Sequence, residues 1–405
     1  MARFIGIILS FETSGNSMSL RVAERISGIQ PFYVMELLRR AKELEAEGRD
    51  IIHMEIGEPD FMTPPTILKA AIAHTATGDV KYTSAAGLPE LREKIAAFYR
   101  LRYGVTIPVR RIFVTPGATG AFLLALGASL NPGEEVLMAD PCYPCNSNYV
   151  QLYDGKTRTI PVDADSHYQL TADLIERHWS AYTKGVLIAS PSNPTGTMIP
   201  RDELKKVIAT TQRLGGCFYS DEIYHGLVYG ETAATALEFS DEVFVINSFS
   251  KYFGMTGWRI GWLIVPEIFI EATEKLSQNI FISTSSDAQH AALAAFDDAT
   301  LAELESRRLE FEKRRDFLYD ALVRIGFEVP IKPEGAFYIY ARCAKFTDDS
   351  FKFALDLLES EGLAVTPGKD FGTHEAHHAL RFAYTTSLEK LADAVQRLER
   401  FINTR

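Results

Sequence analysis

Between Ile112 and Val265 the chain repeats one pattern, a short apolar run followed by a stretch with helical spacing. The runs are Ile112–Thr115, Glu135–Ala139, Val186–Ala189, Cys217–Tyr219, Val243–Ile246 and Ile260–Val265. Runs this short, apolar on consecutive positions, suit strands covered on both faces rather than amphipathic helices. Strands that alternate with helices form βαβ units and a largely parallel sheet. In such sheets ligands sit beyond the C-terminal ends of the strands. Gly117, Asn193, Asp221 and Lys251 each follow one of these runs, so the pattern predicts that they meet at one cleft.

The stretch after Val243–Ile246 reads Ser248-Phe249-Ser250-Lys251 and continues to Arg259-Ile260-Gly261-Trp262. A lysine leaving a buried strand loses part of its hydration, which lowers its pKa and frees the amine lone pair. Such an amine can form a Schiff base with an aldehyde. Ser248, Ser250 and Arg259 can hold an anion beside it, the arginine through a forked, charge-assisted contact. The pair of properties points to an aldehyde cofactor that carries a phosphate. Taken alone, the stretch fits a strand, a polar turn and a second strand equally well. The turn Pro116-Gly117-Ala118-Thr119-Gly120 opens a helix running to about Leu130, and a helix N-terminus offers free N–H groups to an anion. That signal is weak by itself, since small residues at such a turn are often only steric.

The flanks have a different texture. Pro31–Gly48 reads as a helix with Val34, Leu37, Leu38, Ala41 and Leu44 on one face. Ile51–Ile56 reads as a strand that runs into the turn Gly57-Glu58-Pro59-Asp60-Phe61. Pro65–Thr77 and Pro89–Tyr103 are amphipathic helices on either side of a small-residue loop containing Tyr82. From Leu301 a long charged helix pattern to Ile325 leads to strand-like Ala336–Tyr340, helix-like Ser350–Glu361, strand-like Leu380–Tyr384 and a last helix. The expected architecture is α/β, a large domain with a mostly parallel sheet flanked by helices, plus a smaller α+β domain. The boundaries are an extension over 1–17, an arm and part of the small domain over 18–62, the large domain over 63–300 and the small domain over 301–405.

Charge and composition narrow the function. A net charge of −11 argues against a nucleic-acid face, which needs a basic excess. Four cysteines in 405 residues are too few for a disulfide framework and suit a reducing compartment. Phe4–Phe11 is apolar but too short to span a bilayer, and no small-residue cleavage site follows it. A cytoplasmic protein with no membrane partner is expected.

Two further turns complete the constellation. Ser190-Pro191-Ser192-Asn193-Pro194-Thr195-Gly196 leaves an amide at one strand end, and Asp221-Glu222-Ile223-Tyr224 leaves a carboxylate and a phenol at another. A carboxylate beside a pyridine nitrogen keeps it protonated, so that the ring becomes an electron sink. Asn193 and Tyr224 can hydrogen-bond a ring hydroxyl, and Tyr143 can stack on the ring face. With these motifs the chain resembles the class I/II aminotransferases, the fold-type I pyridoxal-phosphate enzymes. Asn-Pro-x-Gly at 193–196, Asp-x-x-Tyr at 221–224 and Ser-x-Ser-Lys with Arg259 eight residues after Lys251 stand in family order. Ile56–Phe61, Tyr82 through Pro89 and Leu380-Arg381-Phe382 match as well, so the resemblance covers the chain from about residue 19 onward.

The resemblance implies pyridoxal 5'-phosphate as cofactor, with Lys251 as the Schiff-base lysine and proton shuttle. It implies Asp221 at the pyridinium, Asn193 and Tyr224 at the ring oxygen, and Gly117, Ala118, Thr119, Ser248, Ser250 and Arg259 at the phosphate. Tyr82 would reach the phosphate of the neighbouring subunit, hence a homodimer with shared sites. Arg381 would grip the substrate α-carboxylate, with Gly57 against it and Phe337 near the side-chain pocket. The reaction would be ping-pong transfer from an L-amino acid to a 2-oxo acid, 2-oxoglutarate being the family-level expectation. Some relatives that prefer dicarboxylates carry a lysine in the phosphate turn, where this chain has Thr119, which weakens an aspartate assignment without excluding it, because an arginine from the partner chain could serve. A carbon–sulfur β-lyase on the same fold would use the same cofactor residues. A non-catalytic regulator on this fold would carry an N-terminal helix-turn-helix domain, for which the residues before Pro31 are too few, and would have little reason to keep Lys251.

Two literal motifs point elsewhere. His374-Glu375-Ala376-His377-His378 spells a zinc-protease signature, which works only on a helix; with Leu380–Tyr384 reading as a strand, a surface loop is expected. Cys142-Tyr143-Pro144-Cys145 spells a redox pair, which would need a helix N-terminus to lower the first thiol's pKa; packing thiols are expected.

Overall fold

In the computed structural model, residues 20–29 and 32–404 are described. The apolar runs assemble into a seven-stranded sheet in the spatial order Ile112–Thr115, Gly261–Ile264, Val243–Ser248, Cys217–Asp221, Thr183–Ala189, Glu135–Asp140 and Lys156–Pro161. Gly261–Ile264 runs antiparallel to both its neighbours, and the remaining pairs are parallel. Every residue of Ile112–Thr115, Val243–Ser248 and Gly261–Ile264 is buried, which is why these strands read as unbroken apolar runs. Lys156–Pro161 gives no apolar run because it is an edge strand of mostly exposed or half-exposed residues, Lys-Thr-Arg-Thr-Ile-Pro.

The register decides what meets at the active edge. Gly261 pairs with Thr115 on one side and with Ser248 on the other. The helix Gly117–Ser129 starts two residues beyond Thr115, so its first turn sits over Gly261. A Cβ on Gly261 would lie 2.7 Å from the Asn247 carbonyl, 2.8 Å from the Gly117 carbonyl carbon and 3.0 Å from the Ala118 nitrogen. All three neighbours are backbone and cannot swing aside.

The C-terminal part is built on a three-stranded antiparallel sheet, Thr366–Pro367, Ala379–Ala383 and Tyr338–Arg342, with helices Asp298–Ile325, Ser350–Glu361 and Leu388–Asn403. The long helix ends where Gly326 takes φ 110°. Tyr338–Arg342 begins later than the apolar pattern suggests because Ala336 takes φ 58°, outside strand geometry. The first helix, Tyr33–Ala46, precedes a two-residue strand, Ile52–His53, that pairs in parallel with Leu363–Ala364. This strand is shorter than Ile51–Ile56 because the Glu55 carbonyl accepts from Arg381 (2.6 Å) and Thr366 (3.1 Å) instead of continuing a ladder. One apolar cluster runs from Leu37 and Leu44 through Val245 and Trp262 to Phe353 and Phe401. Phe4–Phe11 and Pro31 lie outside the described residues.

Gly261→Ala should lower the stability of the folded chain by roughly 1–3 kcal/mol, the usual cost of overpacking. Urea titration checks this, and an unchanged midpoint would mean that the Gly117 turn can move away from the strand.

Candidate active site

The strand ends open into a cavity of about 330 Å³, within the usual range for a small-molecule site. Of the residues singled out in the sequence, Gly57, Ala118, Thr119, Tyr143, Asn193, Asp221, Tyr224, Ser248, Ser250, Lys251, Arg259 and Arg381 line it. Gly117, Tyr82 and Phe337 do not. Gly117 lies directly behind the lining, Tyr82 is 79 % exposed, and Phe337 is fully buried beneath Lys251. The Phe337 ring centroid is 5.5 Å from Lys251 Nζ, while the next residue, Tyr338, is the one on the wall.

Lys251 lies just beyond the strand Val243–Ser248 and lines the cavity, and its Nζ donates to the Gly57 carbonyl at 2.6 Å. Burial, with the repulsion of Arg381 and Arg259, brings its pKa down to about 8 against the attraction of Glu58. Gly57 must be glycine here, because a Cβ would sit 2.0 Å from the Tyr338 hydroxyl. That hydroxyl is 3.0 Å from the Tyr224 hydroxyl.

Asp221 ends the neighbouring strand, and its Oδ1 accepts the Ile223 N–H at 3.1 Å. Burial pushes its carboxyl up to about 7, although the Ile223 amide and Lys251 both favour the anion. A buried carboxyl in this state is stabilised by any cation placed against it.

At the other end of the cavity wall the first turn of a helix meets Arg259, Ser248 and Ser250. The helix Gly117–Ser129 has no side-chain cap, and Gly117 takes φ +70°. A Cβ on Gly117 would lie 2.7 Å from Arg259 Nη2, so glycine is what lets the guanidinium close on the turn. Arg259 Nη1 donates to the Thr256 carbonyl at 3.1 Å. The Ser248 hydroxyl donates to Ser250 Oγ (2.9 Å), and both side chains are buried. Thr119 Oγ1 is 3.3 Å from the Tyr149 hydroxyl.

Arg381, in the strand Ala379–Ala383, is 5 % exposed. Its Nη1 donates to Asn193 Oδ1 at 2.9 Å and its Nη2 to the Glu55 carbonyl and Thr366 Oγ1. The guanidinium lies 4.3 Å from the Tyr338 ring centroid and 4.8 Å from that of Phe371. Its Nε is buried without a partner among the described residues. Tyr338, Tyr149, Phe371 and Asp370 line the cavity and were not found from sequence. Only the place of Tyr338 next to Phe337 could have suggested one of them.

The two misleading motifs resolve by geometry. Ala376–His378 forms a short 3-10 turn after Glu375 in a left-handed conformation, and no α-helix places the histidines on one face. The Thr373 and His374 N–H groups donate to Asp140, so this loop is tied to the end of a sheet strand. A helix, Pro144–Leu152, does begin beside Cys142 and Cys145, the feature that a redox pair would need. Burial outweighs it: Cys142 is pushed up to about 12, and Cys145 is raised as well.

A lysine held near pKa 8 is less stable folded than unfolded while it is charged. Its ordinary value is 10.5, so the penalty is full below pH 8 and disappears as the pH rises from 8 to 10.5. Lys251→Met should therefore raise the thermal midpoint of the ligand-free protein at pH 7, by the equivalent of up to about 3 kcal/mol. The gain should shrink across that window in scanning calorimetry; a variant less stable than wild type at pH 7 would contradict the assigned burial.

Comparison with known proteins places this geometry. The family model for aminotransferase class I and II matches residues 49–398. The chain is 37 % identical to valine–pyruvate aminotransferase of Mycobacterium tuberculosis, over 94 % of this chain and 98 % of that protein. It is also 37 % identical to (5-formylfuran-3-yl)methyl phosphate transaminase of Methanocaldococcus jannaschii, over 94 % of this chain and 100 % of that one. The crystal structure of an aminotransferase from Mycobacterium tuberculosis superposes with a TM-score of 0.92 at 36 % identity, covering 96 % of this chain and 100 % of its own.

Proposed function

The chain belongs to the class I and II aminotransferases, and from that premise we propose which of its residues carry the transfer of an amino group from an L-amino acid to a 2-oxo acid. The cofactor of the family is pyridoxal phosphate. The observation that carries the assignment is the convergence on one cavity of a desolvated amine (Lys251), a buried carboxyl (Asp221), an anion cradle (Gly117–Thr119 with Arg259) and a buried guanidinium (Arg381).

The fit is chemical as well as steric. An aldehyde needs a neutral amine, and Lys251 supplies one near physiological pH. A phosphate needs donors, and the uncapped helix turn, the Ser250 hydroxyl oriented by Ser248, and the remaining N–H groups of Arg259 supply them. A protonated ring nitrogen needs a carboxylate, and Asp221 is a buried acid without a cation against it. Tyr224 and Asn193 would hold the ring oxygen, and Tyr143, 37 % exposed at the mouth, would cover the ring face. When bound, pyridoxal phosphate supplies the electron sink for the pair released at the substrate Cα.

The chain's own part is binding and proton movement. Arg381, on the cavity lining, binds the substrate α-carboxylate, with Asn193 and the faces of Tyr338 and Phe371 fixing the plane of the fork. Lys251 Nζ, tethered within reach of Gly57, takes the proton from Cα and returns it. The buried floor of Phe337 and Tyr338 keeps water from that nitrogen.

Three broader assignments belong to the same proposal. Residues 63–300 form the cofactor-binding part and 301–405 a smaller one that takes in 18–62, a division supported by the pairing of Ile52–His53 with Leu363–Ala364. The exposure of Tyr82 supports a homodimer in which it reaches the partner's phosphate site. Free Cys142, Cys145, Cys217 and Cys343 support a cytoplasmic setting. No helix among the described residues is long and apolar enough to cross a membrane.

The pyridoxal-phosphate-loaded protein should convert amino acids to 2-oxo acids, with a matching change in the cofactor's visible absorption. Lys251→Ala should abolish this. Arg381→Leu should raise KM for the amino acid roughly 30-fold or more, the lower end of what losing one partner of a buried charge pair costs. Steady-state kinetics decide it: wild-type turnover by Lys251→Ala, or an unchanged KM in Arg381→Leu, would sink the assignment.

A further inference from the structure

The transfer chemistry leaves part of the cavity unused. Its cationic lining residues, among those described, are Lys251, Arg259 and Arg381, and the roles proposed above employ all three. The acidic ones are Glu55, Asp221 and Asp370. Glu55 is engaged by His53 (Nδ1 to Oε1, 2.6 Å) and Asp221 serves the ring nitrogen, so Asp370 is the charge without a catalytic task.

Asp370 instead builds a wall. The helix Tyr33–Ala46 has no side-chain cap of its own. Asp370 supplies it from far along the chain, Oδ1 accepting the Tyr33 N–H at 2.6 Å and Oδ2 the Val34 N–H at 2.8 Å. This fixes Phe32, Val34 and Met35 on the cavity lining, next to Phe371. The wall is apolar, and the carboxylate that holds it is 7 % exposed. A second carboxylate on a substrate would meet this wall with no further cation among the described lining residues to pair with, and with Asp370 to repel it. Burying a charge unpaired is among the costliest things a site can do.

We propose that the amino donor is a monocarboxylic amino acid with an uncharged, mainly apolar side chain seated against Phe32, Val34 and Met35, and that Asp370 is the specificity-determining residue that holds this wall and repels a second carboxylate. The inference rests on the aminotransferase reading and deepens it. The oxo acid occupies the same site, so the same charge balance favours a monocarboxylic 2-oxo acid over 2-oxoglutarate.

Unreactive acids test this without turnover. Calorimetric titration of the pyridoxal-phosphate-loaded protein with 4-methylpentanoate, 3-phenylpropanoate and glutarate should show both apolar acids binding about tenfold or more tightly than glutarate, a discrimination within reach of one pocket contact. Asp370→Asn, which keeps one acceptor and removes the charge, should narrow that ratio to about threefold or less. Phe32→Ala should weaken 3-phenylpropanoate about fivefold or more and leave glutarate unchanged. These ratios are taken within one sample, so loss of folded protein cancels. Glutarate binding as tightly as the apolar acids, as it would if a partner subunit delivered a cation, would overturn the proposal. So would an unchanged ratio in Asp370→Asn, or equal weakening of both ligands in Phe32→Ala. Failure of every amino acid to react would remove the reaction itself, whereas the titration judges the pocket separately.

Discussion

Burying Lys251 without a carboxylate in contact is the constraint on which the rest of the structure depends. The ammonium form is disfavoured by lost hydration and by Arg381 and Arg259, against the opposing fields of Glu58 and Asp221. A depression to about 8 is worth roughly 3 kcal/mol against the charged form. The fold has to supply that from its core. The apolar cluster that joins Val245 and Trp262 beneath the site to Leu37 and Phe401 is the reservoir. The same core holds the strand ends rigid, so the single hydrogen bond to the Gly57 carbonyl suffices to aim the amine.

The sheet turns that constraint into a site by register. Gly261 runs antiparallel between Thr115 and Ser248, which brings the start of one helix and the end of another strand to the same edge. The absence of side chains at Gly117 and Gly261 lets the helix turn, the strand and Arg259 approach within contact distance. Amine and anion cradle are therefore placed by backbone geometry, and only their tips depend on side-chain rotamers. A site built on rigid elements in this way can hold an aldehyde and a phosphate at a fixed separation.

Much of this was legible in the sequence because strand ends leave a local signature. An apolar run followed by an isolated polar residue marks Asp221 and Lys251, and the strands carrying them fall where the runs do. Lys156–Pro161 left no such mark, since an edge strand gains little from apolar side chains. The limits of Ile52–His53 were also invisible, because the ladder stops when distant Arg381 and Thr366 capture the Glu55 carbonyl. Phe337 and Tyr338 show the parity of a strand at work. Both are large and aromatic, but one faces the core and its neighbour the cavity, and a left-handed Ala336 immediately before them shifts the strand's start.

The misleading motifs and the unforeseen wall have one physical cause. A spacing such as Cys-x-x-Cys or His-Glu-x-x-His describes the chain alone, whereas reactivity is set by what surrounds it. A helix does start at Pro144, yet the field of its amides cannot offset the desolvation of Cys142. Asp370 presents the converse case. Its own neighbours say nothing of a role, because its partners are the Tyr33 and Val34 amides at the opposite end of the sequence. The transfer machinery sits at strand ends, where short motifs record it. The wall that meets the substrate side chain is assembled from segments brought together only by folding, so relatives at similar identity can act on substrates as unlike as those of the valine and formylfuran enzymes. Tertiary contacts of this kind, such as that of Asp370 with the Tyr33 and Val34 amides, place the side chains that line the cavity beyond the transfer machinery.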